Sequence, residues 1–97
     1  MDGKAQHAFL IHKRGDDVGV AVVDIEAGGT ATGVFMDDDS TIEVAPHDRV
    51  PLGHKIAIAP VAAGGTVLEY GIPIGTSSVG FDVGAYVHVH NLRSARW

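Results

Sequence analysis

Cysteine is absent from the 97 residues, which removes disulfides, thiolate metal sites and a cysteine nucleophile together. Positive charge is scarce as well: seven Lys and Arg face twelve Asp and Glu, for a net charge of −5. No basic stripe is available for a phosphate backbone, so nucleic acid is not an expected partner. No apolar run approaches the roughly 18 residues of a membrane span, and residues 1–7 lack the apolar core of a secretory signal. The expectation is a cytoplasmic protein with no membrane contact, a flexible N-terminus over residues 1–7 and one domain over residues 8–97. A chain this short buries only about 60–70% of the surface its unfolded form exposes. One modest core is the most it can build, which favours a site shared with another chain over a deep private cleft.

Glycine is plentiful. Thirteen glycines and four prolines interrupt short runs of Val, Ile and Ala, and no stretch carries a helical stripe over three turns. The pattern predicts an all-β fold, a compact twisted barrel of short strands at residues 8–12, 18–23, 31–35, 42–45, 55–59, 66–70 and 85–90. A spacing of apolar residue, Gly and apolar residue at three-residue steps occurs as Ile25-Gly28-Ala31, Val61-Gly64-Val67 and Phe81-Gly84-Val87. Glycine reaches positive φ at little steric cost, so each copy is read as a tight turn that delivers the chain into a strand. No glycine-rich loop here has the strand-to-helix context of a nucleotide cradle.

Histidine, present six times, is the main candidate for chemistry. If Ala85 to His90 is a strand, His88 and His90 project from one face and could ligate a metal. Two imidazoles do not complete a site, so further ligands would come from His54, His12, a carboxylate or a partner. Asn91 next to them can donate and accept toward an anion or hydroxyl. Pro51-Leu52-Gly53-His54-Lys55 sets a proton carrier beside a cation, although neighbours on a strand face opposite ways unless the chain turns there. Against these stand plainer readings, in which the histidines satisfy backbone groups and Lys55 is an exposed cation. Asp37-Asp38-Asp39-Ser40-Thr41 lacks the ligand pattern of a calcium loop and is read as a solvated turn, as is Gly15-Asp16-Asp17. Ser77 and Ser78 lie in no nucleophile elbow. Trp97 either folds back or anchors a partner.

Three runs in order, Val50-Pro51-Leu52-Gly53-His54-Lys55-Ile56, Val67-Leu68-Glu69-Tyr70-Gly71-Ile72-Pro73-Ile74-Gly75 and Val87-His88-Val89-His90-Asn91-Leu92, resemble the SAF domain of altronate and galactarate dehydratases. Asp16-Asp17-Val18-Gly19-Val20-Ala21-Val22 and the ending Ser94-Ala95-Arg96-Trp97 look like the small, separate alpha subunits of sulfolactate sulfo-lyases within that family. The resemblance implies a β-clip fold and a lyase that removes water or sulfite from a sugar acid or other 2-hydroxy acid. It further implies iron or another divalent metal shared with a larger partner subunit that supplies the rest of the catalytic machinery. Gly53, His54 and Lys55 match the family's G-H-K and His88, His90 and Asn91 its H-x-H-N. Carried over, His54 and Lys55 are catalytic, Lys55 and Asn91 bind the hydroxy-acid substrate, and His88 and His90 hold the metal. Ala59-Pro60 stands where relatives usually carry a charged pair. A lone, non-catalytic module that binds polyols or acidic sugars is the competing expectation. An assembly domain with an apolar surface around Trp97 is another, and a homo-oligomer stays open.

Overall fold

The computed structural model describes residues 7–88 and 90–94, with the backbone alone for Ser94. The expectations for residues 1–6 and Trp97 lie outside these residues. Among the described residues, nine strands form two sheets. They are β1 (Phe9–Ile11), β2 (Val18–Ala21), β3 (Ala31–Phe35), β4 (Thr41–Val44), β5 (Lys55–Ala57), β6 (Thr66–Glu69), β7 (Ile72–Ser77), β8 (Tyr86–Val87) and β9 (Leu92–Ser94). The first sheet has the order β4-β3-β1-β2-β5-β8 and the second β6-β7-β9. All pairings are antiparallel except β1 with β3. The all-β expectation holds, as two twisted sheets and not as one closed barrel. Among the described residues no helix is long and apolar enough to cross a membrane.

Strand alternation divides the buried side chains into two clusters. Phe9, Ile11, Ala21, Ile25, Val50 and Ile56 belong to one, and Val18, Ala57, Val67, Phe81 and Val87 to the other. Neighbours on β5 therefore feed different cores, Ile56 the first and Ala57 the second. Phe9 is fully enclosed, and burying such a side chain contributes about 1.5–3 kcal/mol. It fits because glycine stands opposite it on β3: Phe9 pairs with Gly33, where a Cβ would overlap the Phe9 ring.

The glycine repeat is a turn-and-bridge device. Gly28, Gly64 and Gly84 all have positive φ, at 89°, 82° and 95°. The apolar residue three places earlier makes an isolated bridge each time, Ile25 with Val50 and Val61 with Phe81, while Ala31, Val67 and Val87 begin or continue buried strand segments.

Two strands have no counterpart in the sequence reading, β7 and β9. Pro73 argues against a central strand because it lacks an N–H. In the structure β9 pairs only with Gly75 to Ser77, so Pro73 lies past its end, and the β6–β7 ladder shifts register between Val67 and Leu68 to admit it. The last expected strand, in turn, stops at Val87 instead of running to His90.

The aspartates after Gly15 correct a second expectation. Asp16 is buried, and its carboxylate accepts from the backbone N–H of Tyr70 and of Gly71, both at 2.9 Å. Asp17 accepts from Leu68 N at 2.8 Å and donates its own N–H to the Leu68 carbonyl at 2.9 Å. This segment is a staple from the β1–β2 connection to the β6–β7 hairpin, not a solvated turn. Asp37 to Ser40 is the exposed turn expected, closed by Arg14 from the β1–β2 loop. Asp38 accepts from the Ser40 hydroxyl and amide and from Arg14 Nε, and these donors lower its pKa to about 2, the Ser40 hydroxyl contributing most. A carboxylate whose pKa falls on folding stabilises the fold above its unfolded value of 3.8 and loses that contribution as pH drops toward 2. In a carboxyl NMR titration, Ser40→Ala is expected to move Asp38 back toward 3.8; a value still near 2 would transfer the effect to Arg14.

Candidate functional site

Four side chains meet at the β5–β8 edge. The Pro51–His54 turn, closed by His54 N donating to Pro51 O at 3.0 Å, sets His54 just ahead of β5. The register Ile56↔Tyr86 and Lys55↔Val87 carries on to place His54 opposite His88. Their ring centroids are 5.3 Å apart, edge to face. Tyr86 stacks on His88 at 5.4 Å, meets His90 at 5.7 Å, and brings its hydroxyl to 2.9 Å from His54 Nδ1. His88 and His90 are exposed and His54 is half-buried.

The route to this cluster differs from the expected one. His88 and His90 do not alternate along a strand, because Asn91 folds the chain back after Val87. The Asn91 side-chain oxygen accepts from His88 N at 2.9 Å, its amide nitrogen donates to Tyr86 O at 2.8 Å, and its backbone N–H donates to His88 O at 3.0 Å. Asn91 is buried and engages both ends of its amide within its own loop, so it shapes the histidine turn. Tyr86 completes the cluster although the sequence signal lies in its histidine neighbours; an aromatic beside histidines carries no signal until the register is known.

Lys55 belongs to a second cluster. Strand alternation sends it to the opposite face from His54, and the preceding turn does not reunite them. Its ammonium lies 3.7 Å from Glu69 Oε1, and His12 Nε2 lies 3.7 Å from Glu69 Oε2. Glu69 is only 5% exposed, so the Lys55 ammonium beside it offsets part of the cost of enclosing a carboxylate. His12 stacks on Tyr70 with centroids 3.7 Å apart. Tyr70 sits at φ 60°, a conformation costing about 1–2 kcal/mol for a residue with a Cβ, in a two-residue hairpin turn with Gly71 that Asp16 holds.

Among the described residues no three His, Asp or Glu side chains gather as a metal-holding group. Among the described residues, two exposed imidazoles, with the third engaged by Tyr86, do not make a complete metal centre. A separate cleft of about 360 Å³ is lined by Asp24, Glu26, the Gly28-Gly29 turn and Pro46, and none of the nominated residues borders it.

Residues 7–95, which hold this all-β fold with its G-H-K turn packed against the H-x-H-N loop, match the family described as the altronate/galactarate dehydratase SAF domain. The chain belongs to this family. It is 42% identical over 90 residues to the (2R)-sulfolactate sulfo-lyase subunit alpha of Chromohalobacter salexigens, covering 92% of this chain and 96% of that one. The subunit alpha of the same name from Paracoccus pantotrophus is 36% identical over 64 residues, 66% of this chain and 96% of the relative. Altronate dehydratase of Escherichia coli is 38% identical over 79 residues, 81% of this chain but only 15% of that much longer protein.

Proposed function

We propose that this chain is the small subunit of a cytoplasmic two-component lyase that eliminates water or sulfite from a sugar acid or other 2-hydroxy acid. The carrying observation is the cluster of His54, Tyr86, His88 and His90 at the exposed edge of β8, a set of polar groups open on one side. The match to nearly the full length of a protein named as a subunit, and to a small part of a long dehydratase, supports the same reading. A larger subunit completes the site.

In this reading the reacting centre lies at the histidine cluster. His54 presents its Nε2 edge to the hydroxyl or sulfonate oxygen that departs, and a positioned imidazole contributes typically about 10²–10⁴-fold to such a step. Lys55 is paired with Glu69 on the other face of β5, so it secures the contact between the two sheets and reaches a substrate carboxylate only by leaving that pairing. Iron or another divalent metal enters as an ion held jointly with the larger subunit, with His88 and His90 as this chain's share.

The test is capture of the tagged chain from its native host, with metal content and elimination assayed on the eluate using sulfolactate, altronate and galactarate. A larger protein is expected to co-purify with activity that needs both chains, and His88→Ala or His90→Ala is expected to lower it by more than the roughly 10- to 100-fold that losing an outer partner of a metal ligand costs. A chain that elutes alone and inert would favour the non-catalytic binding module.

A further inference from the structure

Tyr86 is the hub of the histidine cluster and is itself held at both ends. Its N–H donates to Asp48 Oδ2 at 3.0 Å, its carbonyl accepts from Asn91 at 2.8 Å, and its ring packs against His54, His88 and His90. Only one of the three imidazoles receives its hydroxyl: the oxygen lies 2.9 Å from Nδ1 of His54. A phenol, with an ordinary pKa of about 10, is a far better proton donor than a neutral imidazole N–H, and an unprotonated imidazole nitrogen is a better acceptor than a phenol oxygen. The pair is therefore ordered as O–H donating to Nδ1, which leaves the single ring proton of neutral His54 on Nε2.

We propose that Tyr86 is a positioning residue that locks His54 in its Nε2–H form, making His54 a hydrogen-bond donor toward an oxygen of the hydroxy-acid substrate and withholding it from metal ligation. A nitrogen that carries a proton has no lone pair for a metal, so the lock divides the cluster: His54 addresses the substrate, while His88 and His90, which meet Tyr86 through ring contacts, stacked and tilted, keep their nitrogens for an ion. The donor's target rests on the lyase reading above; the tautomer does not.

Long-range proton–nitrogen NMR of the isolated full chain at about pH 8, above the ordinary titration range of imidazole, reads the tautomer directly. The expected wild-type signature is a protonated Nε2 and an unprotonated Nδ1 for His54. In Tyr86→Phe that single pattern should give way to a mixture of tautomers, with the pattern of His12, on the other face of β5, unchanged as a control for folding. A wild-type His54 protonated at Nδ1 overturns the proposal whether or not the variant folds, and so does a variant whose His54 pattern stays as in wild type. In the reconstituted two-chain enzyme, Tyr86→Phe is expected to lower kcat about tenfold with KM nearly constant, the size usual for losing a group that orients a site residue. If the wild-type pair lacks lyase activity, the functional reading fails, while the isolated-chain spectra still decide the role of Tyr86.

Discussion

Gly84→Ala is expected to destabilise the domain by at least about 3 kcal/mol, from the left-handed backbone cost of about 1–2 kcal/mol and an overlap that the neighbours cannot relieve. A Cβ at Gly84 would run into the carbonyl oxygen of Ala45 and lie 3.1 Å from the backbone nitrogen of His47. The two segments are tied to each other and to β5, because Gly84 N donates to Ala57 O at 2.8 Å and His47 N donates to Gly84 O at 2.9 Å. For a domain of this size about 3 kcal/mol lowers Tm by roughly 12–24 °C. Gly28→Ala is the control. It occupies the same place in the repeat at nearly the same φ, but nothing lies within 4 Å of its added Cβ, so only the conformational cost of about 1–2 kcal/mol applies. Thermal melts of the two variants that agree within a degree or two would show that the close approach at Gly84 is not real.

Asp16→Ala should cost a comparable amount and also disturb the second polar cluster. Each of the two hydrogen bonds to the buried carboxylate is charge-assisted, a class that contributes about 1.5–3 kcal/mol, and alanine leaves both backbone donors without their partner. A loss of about 3 kcal/mol is expected in urea or thermal unfolding, with Asp16→Asn intermediate because its amide offers one acceptor where two N–H groups point. The consequence reaches His12. Tyr70 holds its positive φ while Asp16 grips its N–H, so losing the grip should loosen the Tyr70–His12 stack and remove the upfield ring-current shift of the His12 ring protons. An Asp16→Ala protein with wild-type stability and an unchanged His12 spectrum would refute the staple.

What these residues display in the sequence is uneven. The Gly84 turn is legible, since a three-residue step of apolar, Gly, apolar repeats three times and each copy needs only its own neighbours to take shape. The histidine cluster is partly legible: G-H-K and H-x-H-N stand out as polar islands in apolar runs. Their geometry is not legible, because the H-x-H spacing reads as a strand face while the strand ends at Val87 and the buried Asn91 amide closes a loop. The Lys55–Glu69–His12 group was not legible at all, nor was the burial of Asp16, whose partners lie 54 and 55 residues away.

The sequence by itself determined the all-β class, most strands of the first sheet, the glycine turns and the residue types from which a polar site could be assembled. These follow from side-chain alternation and backbone preference, which act over a few residues. Tertiary structure alone decided that Pro73 could sit in β7 beyond the reach of β9, that Asp16 is a staple, that Tyr86 selects His54 among three imidazoles, and that Lys55 pairs with Glu69. Each of these depends on which distant strand lies alongside, and many pairings of short, glycine-bounded apolar runs satisfy the local pattern equally well until packing chooses one.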